Sequence, residues 1–312
     1  MVVTRGSIYG RLLLLGLIWG ASFMFIKIIV AQVPPVTLVA GRVVLATLVM
    51  SPFIFAIRKR VRLAVGTRTL AWLLALAVFN TTLPFVLISW GEIHLSSSLA
   101  SMLNAANPLF VMILARIVLA EYLDARKITG IVFGFIGIIV LLDLSFSHVL
   151  TSSFLAQLAV LGASFSYAVA AIIVRKHMQK MDKMVLAFYN MLLSSVIISP
   201  MSLAFDAPWT LSVTPIALLS WAALGIVATF FALVIFFGLL QDAGPTVSSL
   251  VTYVVPVFSM GFGVAFLGES ITTNMVIGLS LIFLGVYSTE SSAYSAYLKK
   301  TTLNLSSQKP KR

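Results

Sequence analysis

The sequence predicts an all-α integral membrane protein of ten transmembrane helices, arranged as two inverted five-helix repeats. Three observations carry that prediction. The chain is 60% hydrophobic and only 10% charged over 312 residues, too little polar surface for a water-soluble globule of that size. Its apolar runs are about 20 residues long, the length a helix needs to cross a bilayer core of roughly 30 Å. The chain also repeats itself: Ser101, Pro108, Phe110, Met112, Glu121, Gly130, Phe135 and Gly137 recur without a gap as Ser249, Pro256, Phe258, Met260, Glu269, Gly278, Phe283 and Gly285. Such self-similarity at half the chain length is a mark of repeat-built transporters.

In chain order, apolar runs place spans at 8–30, 34–57, 69–90, 96–119, 126–143, 153–174, 184–205, 214–240, 245–267 and 271–289. Runs such as Ile131 to Leu142 are continuously apolar, which fits helices and not the alternating strands of a β-barrel. The N-terminal run is too long for a signal peptide and lacks a small-residue cleavage site, so it is expected to stay as a span. Gly20-Ala21-Ser22-Phe23 recurs as Gly162-Ala163-Ser164-Phe165 at an offset of 142, which grows to 148 through the longer link Arg175–Lys183. An odd number of spans per half means that the second half enters from the opposite side. The expected organisation is a first repeat at 1–144, a second, inverted repeat at 145–290 and a basic cytoplasmic tail at 291–312.

The net charge of +12 raises the question of a nucleic-acid partner, and its distribution answers against one. Of 21 Lys and Arg, 19 fall at the termini or on alternate connections, while the opposite connections carry Glu92, Asp143, Asp206 and Glu269. That is the positive-inside pattern, so both termini are expected in the cytoplasm of a multi-pass protein of the bacterial inner membrane. The absence of cysteine excludes disulfides and thiolate chemistry.

Ten spans in two halves, Trp19-Gly20-Ala21-Ser22-Phe23 opening the first half, and a Pro-x-Phe followed by a glutamate at the ends of spans 4 and 9 resemble the drug/metabolite transporter superfamily, EamA type. The resemblance covers about residues 8–290. It implies export of metabolites, amino acids among them, from a cavity between the halves, with spans 5 and 10 at the periphery.

Polar groups inside a span are costly and mark cavities or helix contacts. In span 4, Ser97, Ser101, Asn104 and Pro108 fall on one face at steps of four, three and four; span 9 repeats this with Pro245, Ser249, Thr252, Pro256 and Ser259, flanked by Tyr253. Span 3 adds Asn80, Thr81 and Pro84, span 1 adds Trp19 and Ser22, and span 6 adds Ser164 and Tyr167. The expected substrate contacts are Trp19, Ser22, Arg42, Asn80, Thr81, Ser101, Asn104, Tyr167, Ser249, Thr252 and Tyr253, with Pro84, Pro108 and Pro256 as hinges. Against this stands the plainer use of the same groups as polar glue between helices, with static proline kinks. A proline within a helix frees the carbonyl four residues back, here Asn104 and Thr252.

Lys27 lies about 5 Å from the outer end of span 1, within snorkelling reach, whereas Arg42 lies about 12 Å inside span 2. Arg42 serves either backbone carbonyls or a substrate carboxylate. All nine acidic residues are placed at span ends, in connections or near the tail, so facilitative transport is expected, and cation export or a carboxylate proton relay is disfavoured. Glu121 and Glu269 are each expected to meet the N-terminus of the following helix. GxxxG at Gly16/Gly20 and Gly130/Gly134 predicts close helix packing within the chain.

An enzyme is disfavoured: His94, His148 and His177 are scattered, and no metal or nucleophile motif is present. The remaining alternatives are a drug exporter and a sugar or nucleotide-sugar carrier. The expected partners are a small-molecule substrate, an amino acid or similar metabolite, and the lipid bilayer, with no nucleic acid, no cofactor and no metal, in a monomer or weak homodimer.

Overall fold

The computed structural model describes residues 5–57, 65–142, 151–236, 238, 239, 248, 251–285 and 287. Eight helices among them are long and apolar enough to cross a membrane: α1 (Arg5–Val30), α2 (Pro35–Ile57), α3 (Thr67–His94), α4 (Ser97–Leu119), α5 (Ala125–Leu142), α6 (Ser152–His177), α7 (Lys183–Phe205) and α8 (Pro215–Phe236). Two shorter apolar helices follow, α9 (Val251–Leu267) and α10 (Thr273–Gly285). They occupy the places of predicted spans 9 and 10, whose far ends, with Pro245, Ser249 and the tail 291–312, lie outside the described residues. So do Arg58, Lys59, Arg60, Arg62 and Asp143. No strand occurs among the described residues.

Large apolar side chains such as Leu48, Phe55, Ile117, Leu219 and Phe266 stand exposed around the bundle, a surface suited to lipid and costly in water. Inside, Leu15, Ile29, Leu38, Met50, Met102, Leu109, Met191 and Leu224 belong to one continuous apolar core. A second cluster, built on Leu73, Leu76, Ile173 and Leu186, joins α3, α6 and α7.

Small residues set the closest approaches. A Cβ on Gly20 would lie 2.6 Å from the Cβ of Phe258 and 3.0 Å from the Val255 carbonyl oxygen, so α1 and α9 touch almost backbone to backbone. A Cβ on Gly137 would lie 2.6 Å from the Gly278 oxygen, and one on Gly285 would strike the Gly130 oxygen, which seats α5 against α10. Both predicted GxxxG pairs therefore serve packing within the chain.

Three helices are not regular. α3 contains a π-helical turn at Val78–Thr82, and α8 contains one at Ala223–Phe231. α4 breaks at Ala105–Ala106 into Ser97–Asn104 and Asn107–Leu119. The ends of α4 and α9 are built alike. Ala120 (φ 53°) and Gly268 (φ 65°) adopt the left-handed conformation, and the next amide, Glu121 or Glu269, donates back to Ala115 or Gly263 at 3.3 and 3.0 Å.

Candidate functional site

The irregular turns gather the polar residues. A π turn leaves backbone carbonyls without their usual partner four residues on, and such turns concentrate at functional positions. In α3, Ser166 donates to the Phe79 carbonyl at 2.8 Å and Ser194 to the Ala77 carbonyl at 3.1 Å. Pro84, which has no N–H, sits just after this turn, at the start of the α-helical stretch Leu83–His94. Thr81 is fully buried and accepts a hydrogen bond from Asn190 Nδ2 at 2.9 Å, with Asn80 half-buried beside it.

In α8 the same arrangement carries a charge. The buried Arg42 donates from Nε to Thr229 Oγ1 at 2.9 Å, and Thr229 donates in turn to the Leu224 carbonyl at 2.9 Å. The Arg42 guanidinium lies 3.8 Å from the centre of the Phe85 ring, a cation–π contact from α3, and its field reaches Tyr167. Trp19 donates from Nε1 to the Ala228 carbonyl at 3.1 Å and packs on Phe236 at 5.4 Å. Trp19 and Arg42 therefore meet around one π turn.

Asn104 and Pro108 differ from expectation. Pro108 lies in the first turn of the second half of α4, where a proline is well tolerated, and not in mid-helix. The Asn104 carbonyl and its Oδ1 both lie within hydrogen-bond distance of Ser164 Oγ, at 3.3 and 3.2 Å, as alternative acceptors for its one hydrogen, while Asn107 Nδ2 donates to the Ser164 carbonyl at 2.9 Å. The break is thus bridged from α6. Ser22 and Ser101 bond within their own helices, to the Ile18 and Ser98 carbonyls. Tyr253 packs on Phe283 at 5.5 Å; Thr252 is half-buried next to it. Pro256 lies inside α9, as predicted.

The charged residues bring four corrections. Lys27 does not snorkel: Nζ donates to the Glu92 and Leu95 carbonyls at 2.6 and 2.7 Å, closing the C-terminus of α3. Glu269 caps a helix, but not the following one. It accepts from the Ser97 and Ser98 amides at 2.6 and 3.0 Å and from Ser98 Oγ at 2.6 Å, at the start of α4. Glu121 pairs with Arg175 at the end of α6. Glu92, placed by sequence in a connection, lies in the last turn of α3 and is 0% exposed. The ground for expecting facilitative transport, that all carboxylates lie outside the buried interior, does not hold.

Sequence reasoning missed Thr229, Asn190 and Glu92. The 148-residue offset contained the first two, because Arg42 and Thr81 map onto Asn190 and Thr229. A cavity of about 600 Å³ elsewhere, bordered by Ser96, Gln157, Glu269 and Asn274, is lined by none of the predicted site residues. No group of three metal-binding side chains occurs among the described residues.

Comparison with known proteins gives the context. The profile described as the EamA-like transporter family matches twice, over residues 6–143 and 154–290. A probable amino-acid metabolite efflux pump of Salmonella typhimurium is 30% identical, covering 88% of this chain and 92% of its own. The protein of the same description from Escherichia coli is 27% identical, covering 88% and 92%. An uncharacterized transporter of Archaeoglobus fulgidus is 26% identical, covering 86% and 93%. A solved crystal structure aligns over 95% of this chain and 99% of its own, with a TM-score of 0.66 at 15% identity, which is a likeness of fold.

Proposed function

The chain belongs to the EamA-like transporter family, and from that membership we propose that it exports small metabolites, foremost amino acids, across the bacterial inner membrane. In this reading it is a multi-pass protein with both termini in the cytoplasm. Its two halves, 1–144 and 145–290, are inverted repeats that exchange conformations about a central site. The double family match supports the division into halves. The efflux-pump descriptions of two relatives support the substrate class.

One observation carries the assignment of the site: the matched pairs Arg42–Thr229 and Asn190–Thr81, each 2.9 Å long and each set in a π turn. They join α2 to α8 and α7 to α3. Arg42 carries the positive charge that a substrate carboxylate requires, held by one hydrogen bond and one aromatic face, so further guanidinium N–H groups remain for a ligand. Trp19, Asn80, Asn104 and Tyr167 are proposed to line the remainder, with Thr252 and Tyr253 on the α9 side. Pro256 and the break before Pro108 serve as points of bending.

Glu92 favours a second reading, export of an organic cation, because such a substrate needs a buried anion. Lys27 and Arg42, whose fields both reach Glu92, argue against it.

Counterflow in proteoliposomes tests the proposal. Vesicles preloaded with single unlabelled amino acids should take up a labelled amino acid above the level of empty liposomes. Counterflow of a labelled organic cation, with none of any labelled amino acid, would select the second reading.

A further inference from the structure

Glu92 has two properties that no role in packing explains. Both carboxylate oxygens are buried, and neither has a hydrogen-bond partner among the described residues. A structural carboxylate inside a protein is ordinarily held by donors, as Glu269 is by three. Lys27 could have supplied one but spends its ammonium on two backbone carbonyls instead.

Comparison of the halves sharpens the point. Apart from Arg5, Arg11 and Arg68 near the helix N-termini, Lys27, Arg42 and Glu92 are the charged residues of the first three helices of the first half. At offsets of 142, 148 and 148 they map onto Val169, Asn190 and Leu240. The second half carries no charge at any of these places. The repeated architecture therefore does not require the three charges; Lys27 closes the end of α3 and Arg42 bonds Thr229, which leaves Glu92 as the one with no structural use among the described contacts.

The charged groups that act on Glu92 come from three directions: Lys27 from α1, Arg42 from α2 and Glu269 beyond the end of α9. His94 follows on its own helix. With two cations and one other anion, the site is neutral when Glu92 is ionised and carries one net positive charge when it is protonated. A carboxylate without donors keeps its charge only while water or a polar ligand reaches it. Closing the protein around an empty site favours the protonated form; opening it to solvent or substrate favours release.

We propose that Glu92 is a proton-carrying residue that couples export to proton entry. The inference rests on the transport reading above and deepens it by naming the second transported species. The step balances simply: Glu92 binds one proton from the outer side when the substrate has left, and releases that proton to the inner side when the next substrate binds. One proton enters for each substrate molecule exported, and no other reactant is needed.

Proteoliposomes enclosing a pH-sensitive dye test this with the full chain. A mixture of amino acids is added outside at equal pH, and both labelled uptake and lumenal pH are followed. For the wild type, uptake should be accompanied by alkalinisation of the lumen, and an acidic lumen should raise accumulation several-fold. Glu92→Gln should keep gradient-free counterflow within about threefold of wild type while losing the pH signal. Glu92→Asp should keep the pH signal, which covers the case in which the amide variant fails to fold. Net uptake by the wild type without proton movement would overturn the inference alone, as would a pH signal that survives in a folded Glu92→Gln protein. Absence of wild-type counterflow would overturn the transport reading together with it.

Discussion

Thr47 Oγ1 and Ser195 Oγ lie 3.0 Å apart, both buried, and the two residues are 148 positions apart in the chain. Each is the other's counterpart at the repeat offset. A residue that meets its own counterpart sits where a two-fold axis would pass, the signature of a self-complementary contact. Each hydroxyl also lies within hydrogen-bond distance of a carbonyl of its own helix, Val43 for Thr47 and Met191 for Ser195. Thr47→Val and Ser195→Ala should each cost about 1 kcal/mol. Because they share one contact, the double variant should show a coupling of about 0.6 kcal/mol in a thermal-melting cycle in detergent, the average found for hydrogen bonds between membrane helices. Strict additivity would place the pair off any functional axis.

The Arg42–Thr229 bond uses the guanidinium Nε, and the Phe85 contact uses its flat face. Lysine supplies the charge but neither feature. Arg42→Lys should therefore lower amino-acid counterflow about tenfold, equal to about 1.4 kcal/mol of transition-state energy. Thr229→Val should lower it less, about threefold, because the guanidinium keeps its ring contact. Wild-type rates in Arg42→Lys would remove Arg42 from the site.

The α4 and α9 ends share one cap geometry, but α4 uses alanine where α9 uses glycine. A left-handed alanine costs about 1 kcal/mol relative to glycine, part of which glycine returns through its freer unfolded chain. Ala120→Gly should raise the melting temperature slightly, by up to about 1 kcal/mol in stability, and Gly268→Ala should lower it by a similar amount. A fall in both would mean that the caps differ in their surroundings.

Glu269 gathers three donors at the start of α4, and Gly263 leaves the space in which its carboxylate lies. Glu269→Gln removes the charge that complements the helix N-terminus and should cost about 1–2 kcal/mol. Gly263→Ala should be at least as damaging, since its methyl group would strike Glu269 and Ser98 Oγ. Both effects are read as lower melting temperatures, with the loss in Glu269→Gln reduced at high salt.

Much of the fold was legible because lipid is a strict solvent. Spans, their order and the repeat follow from apolar length and from self-similarity, and glycines at Gly20, Gly137 and Gly285 mark the closest contacts. The site was legible in part. Arg42 and Asn104 stood out because polar groups within apolar runs are rare. Their actual partners did not, since whether Arg42 meets Thr229 or a ligand depends on which face of α8 turns inward, and the π turn alters that face. Glu92 was misjudged for a related reason. Two residues from the helix end looks like a connection in a sequence, yet the packing of α1 and α6 against that last turn buries it. Thr229 and Asn190 were present in the offset, but only pairing each half's residue with the other half's helix makes them visible.

The π turns have one more consequence. Such a turn holds one residue more than the α turn it replaces, and it can pass along a helix by exchanging hydrogen bonds one at a time. A passing turn advances the segment behind it by about 1.5 Å and rotates it by about 100°. α3 and α8 thus carry slack in reserve. Each can screw its inner portion past its neighbours while both ends remain anchored at the membrane surfaces, a movement that a straight helix of the same length could achieve only by sliding bodily.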